Sequence, residues 1–278
     1  MSDVEQGVKD HYGNFGQRAP ILAALAKRGI SLDGLTPAQL APFDQFHTGG
    51  AVATQRLSEL LAPRSSDHIL DLGCGLGGPA RMLADLKGCA VTGIDLAPHF
   101  VETAVYLSGL TGQSERVKFQ QGSGTALPFA DAMFDGAWQL HVSMNVAEKD
   151  VMYTEMSRVL KPGSPFVIHD PVRGDKNDVV FPVPWAAKAS LSFLWTRDAM
   201  LSCLKSKNFE IVDVHDATTE GLAWFDEMET AQKQSSARSH KRDAPRDLKP
   251  LEVMTKNHRA NLGSGAVKVL TVHARKLA

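Results

Sequence analysis

The chain has 278 residues, 22% of them charged and 43% hydrophobic, with 30 lysines and arginines against 31 aspartates and glutamates. That composition excludes a disordered or collagen-like chain, and a formal net charge of −1 argues against a dedicated nucleic-acid binder. No run approaches the ~18 apolar residues of a membrane span, and the first residues lack the pattern of a signal peptide.

Residues 1–62 read as helical and irregular. An Ala/Leu-rich helix within 8–29 stops at Gly29, and Thr36 caps a second helix with Pro37 in its first turn. A polar and aromatic loop follows at 42–50, then a helix at 51–61. From residue 68, strands at 68–72, 90–94, 117–120, 134–140 and 165–169 alternate with helices at 79–86, 98–110 and 149–160. After an interruption at 171–194, a helix at 196–207 and a strand at 209–214 resume the pattern. A second insertion, 217–262, is helical around 222–234 and very polar over 235–249, and a last strand at 266–274 closes the sheet.

Strands separated by helices imply parallel pairing, hence an α/β fold with a doubly wound, mostly parallel sheet of seven strands. A helical N-terminal lid, 1–62, precedes the main domain, 63–278. The insertions carry apolar anchors (Trp185, Leu222, Trp224 and Phe225) that need a partner surface, so with residues 1–50 they are expected to cap one edge of the strands. Cys74, Cys89 and Cys203 share no metal-ligand spacing and read as free thiols of a cytoplasmic protein without a metal site. Arg238-Ser239-His240-Lys241-Arg242, bordered by Asp243 and Asp247 and without aromatics, reads as a solvated loop.

The strongest signal is Asp71-Leu72-Gly73-Cys74-Gly75-Leu76-Gly77-Gly78-Pro79, where a strand enters a glycine turn and a helix leaves it. Glycine allows a ligand to approach the backbone, and the free N–H groups of the new helix favour an anionic group. Two ligands suit the pattern. Gly73, Gly75 and Gly78 match G-x-G-x-x-G, with Asp95 placed 20 residues past Gly75 to accept ribose hydroxyls, as in a dinucleotide site. Asp71, which that fingerprint lacks, suits instead a ligand with an amino group. As a helix cap, Asp95 is poorly spaced, because Ala97 intervenes before Pro98.

Residues 69–79, Gly93 to Pro98, Ala126-Leu127-Pro128-Phe129-Ala130-Asp131 with Phe134-Asp135, and Leu160-Lys161-Pro162-Gly163 occur in an order that resembles class I S-adenosylmethionine-dependent methyltransferases. The likeness covers roughly 60–215 and implies their Rossmann-like fold, S-adenosyl-L-methionine as cofactor and a small-molecule methyl acceptor. Asp44 to Gly50 and His141-Val142-Ser143-Met144-Asn145 resemble a bacterial small-molecule branch, similar to sarcosine/dimethylglycine N-methyltransferases and natural-product sugar O-methyltransferases. The implied cofactor residues are Asp71, Gly73, Gly75, Gly77, Asp95, Leu96, Ser123, Gly124 and Gln139. The chain departs from the family at Gly122-Ser123-Gly124-Thr125, where an Asp commonly contacts the adenine amino group. By the same resemblance, His141 after the fourth strand and Asp170 after the fifth lie near the acceptor, His141 as base or positioning group. Tyr12, Phe15, Phe46, His47, Phe181 and Trp185 are candidates for the substrate pocket or lid, with Gly49 and Gly50 as a hinge. Two other functions fit the fold class, a cofactor-binding protein without transfer activity and, more remotely, a nicotinamide-dependent oxidoreductase. Nothing in the chain speaks against a homodimer.

Overall fold

A computed structural model describes residues 3–13, 15–176, 178–238 and 249–278. Most of the run 238–242 therefore lies outside the described residues. Seven strands form one sheet: β1 (His68–Leu72), β2 (Ala90–Asp95), β3 (Val117–Gln121), β4 (Gly136–Leu140), β5 (Pro165–Arg173), β6 (Phe209–Asp216) and β7 (Val267–Lys276), in the order β3-β2-β1-β4-β5-β7-β6. The first five pair in parallel, and β7 runs antiparallel to both β5 and β6. The last strand thus does not close the sheet but fills its interior. It pairs along both edges through its backbone, nine residues deep against β5.

Both faces of the sheet are covered, as parallel pairing requires. Leu70, Leu72 and Ile94 pack with Met152, Tyr153 and Met156 of α7 (Lys149–Val159) and with Met200 and Leu204 of α8 (Arg197–Ser206). On the other face Ile69, Val91, Trp138 and Val167 meet Leu57 and Leu61 of α4 (Gly50–Leu61) and Ala80 and Leu83 of α5 (Gly78–Lys87). Strand order reverses between β1 and β4, so the crevice beyond their carboxyl ends is the place where such a sheet receives ligands.

The stretch expected as one lid divides in two. The first helical segment breaks around Gly13 and Gly16 into α1 (Asp3–Tyr12) and α2 (Arg18–Lys27). Thr36 caps α3 (Pro37–Asp44) through a reciprocal capping box with Gln39, and that helix runs through Pro42, into the expected loop. Ile21, Leu25, Leu35 and Leu40 share a core with Leu76, Ala97 and Phe100, the last in α6 (Pro98–Leu110). Asp44 is drawn inward to the Arg81 guanidinium at 2.8 Å, both side chains almost wholly buried, while Arg81 also donates to the carbonyls of Leu76 and Ala104. Removing one partner of such a pair is strongly destabilising, so α2 to α4 belong to the body of the fold.

β5 continues four residues beyond its expected end, to Arg173. The second insertion folds as α9 (Thr218–Arg238) and α10 (Lys249–Ser264). Trp185 and Phe225 are buried and Leu222 and Trp224 partly so, in one cluster with Val183, Leu262, Val267 and Val269. The anchors of both insertions therefore share a surface with β7. Among the described residues no helix is long and apolar enough to cross a membrane, and no group of three or more His, Cys, Asp or Glu is arranged to hold a metal ion.

Candidate active site

Two constellations occupy the carboxyl ends of the strands. The first surrounds the glycine turn between β1 and α5. Gly73 and Cys74 both donate their N–H to the Ile94 carbonyl, and Gly77 donates to Cys74, so the turn is tied down on β2. The glycines are there for different reasons. A Cβ on Gly73 would lie 2.5 Å from Val142, one on Gly77 2.2 Å from Phe119, and one on Gly78 2.4 Å from the Asp44 carbonyl oxygen. Gly75, at φ 51°, has nothing within 4 Å of such an atom. Gly77, expected at the ligand, is thus accounted for by packing, whereas Gly75 faces open space.

Asp71, near the end of β1, is 2% exposed, and its Oδ2 is buried with no hydrogen-bond partner among the described residues. Burial pushes this carboxyl up to about 8, with Asp95 adding to the rise and Trp138 and Arg81 opposing it. Asp95 is differently placed. Its Oδ2 accepts the Gly75 N–H at 2.8 Å and its Oδ1 the Ala97 N–H at 2.9 Å. The Asp95 carboxylate therefore clasps the glycine turn and also serves the approach to α6, a local role that the spacing had argued against. Each oxygen keeps one further lone pair. Burial raises Asp95 too, against its backbone donors. Ser123 bonds Glu5 of α1 at 2.6 Å and Thr125 at 2.8 Å, and a Cβ on Gly124 would meet Leu72 at 3.2 Å. α1 thus reaches the end of β3. Leu96, between Asp95 and Ala97, is partly exposed beside the same turn.

The second constellation follows β4 and β5. Asp170 is fully buried, and its oxygens accept Val142 N–H at 2.8 Å, Ser143 N–H at 2.9 Å and the Gln139 amide at 2.7 Å. Burial raises its pKa while these donors hold it down. The resemblance put Asp170 near the acceptor; its lone pairs are instead spent on shaping the turn that carries His141. Gln139, expected at the cofactor, faces the α7 side, where its Nε2 also bonds Tyr153 at 3.3 Å and its Oε1 is unpartnered.

His141 sits at φ 58° with its backbone N–H on the His169 carbonyl. A positive φ at a non-glycine residue is strained, and here Asp170 and His169 impose it. The Thr48 N–H donates to His141 Nε2 at 3.3 Å, so that nitrogen is an acceptor and Nδ1 carries the proton of the neutral ring. His47, His141, His169 and His258 form one group, with neighbouring ring centroids 5.7–6.2 Å apart. Thr48 is its hub, because its carbonyl also accepts from His169 Nε2 at 3.1 Å and its hydroxyl pairs with His258 Nε2 at 3.0 Å. Burial and the neighbouring imidazoles hold His141 well below its ordinary range, and burial holds His47 at about 3 and His169 at about 4.

The aromatic candidates separate as well. The Tyr12 hydroxyl donates to Asn145 Oδ1 at 3.0 Å, and the Asn145 amide donates to the Trp185 carbonyl at 2.7 Å, so α1, the β4 turn and the first insertion are laced together. Tyr12 also feels Asp95, which with burial raises its pKa. Its ring meets Phe15 and Phe100. Phe46 is 55% exposed against Phe100, and Phe181 is partly buried in the insertion core. His47 bonds the Gly50 carbonyl and Thr54, and Gly50 lies against Trp224 of α9. Reading the sequence missed Thr48 and His258. Their only signal was a polar residue beside a named histidine and a histidine within an amphipathic helix.

Residues 70–168 match a family model described as a methyltransferase domain. This stretch is a methyltransferase domain. It holds the glycine turn, Asp95 and His141 within its bounds and reaches to Ile168, one residue short of His169. The chain is 36% identical over 139 residues to sterol methyltransferase-like 2 of Botryococcus braunii, covering 49% of this chain and 35% of that protein. It is 33% identical over 167 residues to O-methyltransferase cnsE of Penicillium expansum, covering 59% of each. The chain thus spans about a third to three fifths of the length of these relatives. Geranyl diphosphate C-methyltransferase from Streptomyces coelicolor A3(2) shares the whole fold of the methyltransferase domain with its appendages, at a TM-score of 0.73 and 16% identity, covering 100% of this chain and 99% of that one.

Proposed function

We propose that this chain transfers the methyl group of S-adenosylmethionine to a small-molecule acceptor and releases S-adenosylhomocysteine. The observation that carries the reading is the buried, unpartnered Asp71 oxygen beside the open face of Gly75. A ligand ammonium would complete the first, and a close backbone approach would use the second. Asp71 then holds the amino group, the first N–H groups of α5 face the ligand carboxylate, and the spare lone pairs of Asp95 take the ribose hydroxyls. Leu96, Ser123 and Gly124 border the adenine. When bound, S-adenosylmethionine supplies a sulfonium methyl that needs a nucleophile aligned behind it.

Alignment of that kind accounts for ~7–11 kcal/mol of barrier. Asp170 and Thr48 fix the His141 ring, and a ring held neutral so firmly is a weak base. His141, whose Nε2 lone pair is taken by the Thr48 N–H, therefore orients the acceptor. Its rate limb at acid pH falls well below that of free imidazole. Tyr12, Phe46, His47, Phe181 and Trp185 belong to the cover that excludes water, with α1 and the two insertions as the lid. A hydroxyl acceptor suits His141 best, since the ring offers hydrogen bonds and no charge.

Calorimetric titration with S-adenosylhomocysteine and with NAD tests the cofactor, and binding of NAD alone would overturn the reading. His141→Ala is expected to lower kcat by about 10²-fold, the scale of a misplaced acceptor, with S-adenosylhomocysteine affinity unchanged. Cofactor binding with no turnover across a metabolite panel would replace transfer by a binding role.

A further inference from the structure

His258, on α10, is 3% exposed and stands among rings: Trp185 at 5.1 Å and Phe225 at 5.6 Å meet it edge-on, and His141 lies across from it at 6.2 Å. Its Nε2 is committed to the Thr48 hydroxyl, and its Nδ1 is buried with no partner among the described residues. Buried polar atoms in folded proteins are almost always paired, so an orphan beside the proposed reacting centre is a place for a partner from outside the described residues. Its neighbour His169 makes the contrast, with one nitrogen on Thr271 and the other on Thr48. Burial alone lowers His258, to about 4, and no charged side chain contributes. The ring is neutral, and which nitrogen carries its proton follows the Thr48 hydroxyl, which either donates or accepts.

We infer that His258 is a second acceptor-binding imidazole, its Nδ1 hydrogen-bonding the hydroxyl of a neutral, ring-bearing acceptor held against Trp185 and Phe225, opposite His141. A hydroxyl is the group that answers either tautomer, since it both donates and accepts. The aromatic edges receive an apolar ring. Two uncharged imidazoles offer a phosphate or carboxylate no counter-charge. The inference rests on the methyltransferase reading and deepens it by naming the acceptor class.

Phenol and toluene, matched in shape and differing by the hydroxyl, test it on the full chain with S-adenosylhomocysteine present. Wild type is expected to prefer phenol by ~10-fold, the worth of one net hydrogen bond, and phenol alone should shift the ¹⁵N resonance of His258 Nδ1. His258→Gln keeps a polar atom near the Nε2 position and should retain the melting temperature while losing the preference. His258→Asn keeps one near Nδ1 and should retain the preference while melting lower. A purely structural His258 gives an unshifted Nδ1 and a Gln variant that discriminates like wild type, and either result overturns the inference, as does failure of phenol to bind. Failure of S-adenosylhomocysteine to bind instead sinks the methyltransferase reading and leaves the phenol result standing on its own.

Discussion

Asp71 and Asp170 are both buried aspartates of the same sheet, on β1 and β5 with β4 between them, and they have opposite fates. Asp170 accepts two backbone N–H groups and an amide, so its own chain satisfies it. Asp71 has an oxygen without a hydrogen-bond partner among the described residues, although the Trp138 indole N–H is near enough to hold its pKa down. A buried aspartate is thus a brace when the fold supplies its donors and, on the function proposed above, a binding group when it does not. Residue type and position relative to the strands are alike in the two cases. What separates them is the turn after β4, whose N–H groups point at one acid and not the other.

The comparison breaks most readily at Asp170. Asp170→Ala leaves the Val142 and Ser143 N–H groups and the Gln139 amide without this acceptor, and at about 1–3 kcal/mol for each unsatisfied group the fold should lose roughly 3 kcal/mol or more in urea unfolding. A variant as stable as wild type would return Asp170 to a role at the acceptor.

Asp71→Asn should do the reverse. S-adenosylhomocysteine affinity is expected to fall by about 1.5–3 kcal/mol, the worth of a hydrogen bond to a charged group, with little change in unfolding at pH 7. Below about 8 the free protein holds Asp71 protonated, while the bound ammonium favours its ionised form. Wild type should therefore release a proton on binding at pH 7, seen as a buffer-dependent enthalpy, and the Asn variant should not. Without ligand, the unfolded chain sheds this proton near its ordinary value of 3.8 and the folded chain only near 8. The stability contribution of Asp71 therefore falls as pH rises between those values and stays low above them. Absence of both the proton release and the slope would make Asp71 an ordinary strand-end residue.

Two glycines sharpen the contrast further. Gly75 and Gly77 both have positive φ, so an Ala at either incurs the same backbone strain of about 1–2 kcal/mol. Gly77→Ala also drives a methyl into Phe119 and should lose a further 1–3 kcal/mol or so of stability, with ligand affinity largely kept. Gly75→Ala meets no atom of the described residues within 4 Å, so its added loss should appear as weaker S-adenosylhomocysteine binding. Equal behaviour of the two would mean that the open face of Gly75 is not where a ligand lies.

The glycine turn and the strand–helix alternation were legible because both are local: a short apolar strand, permissive residues and a helix start lie within a dozen positions. The cap at Thr36 was legible for the same reason, though its reciprocal bond with Gln39 was not. Strand adjacency was not, since nothing in residues 267–276 says that both of their edges will be paired. Nor was the division among the glycines, because Phe119 and Asp44, which dictate Gly77 and Gly78, are distant in sequence. The resemblance placed Asp170 near the acceptor, and its backbone donors, 27 and 28 residues upstream, come to it only in the fold. The Thr48 hub draws on residues 48, 141, 169 and 258, and only the packed fold shows that they meet.

The place of β7 has a consequence for the order in which the protein can be made. Roughly 90 residues separate the end of β5 from the start of β7, and at ~5–20 residues per second a ribosome needs ~5–20 s to cross them. Throughout that interval β5 has a bare edge of unpaired N–H and C=O groups, and β6 has no sheet to join. Such an edge is a template for a neighbouring chain. Newly made copies on one messenger are therefore exposed to cross-pairing until β7 is in place.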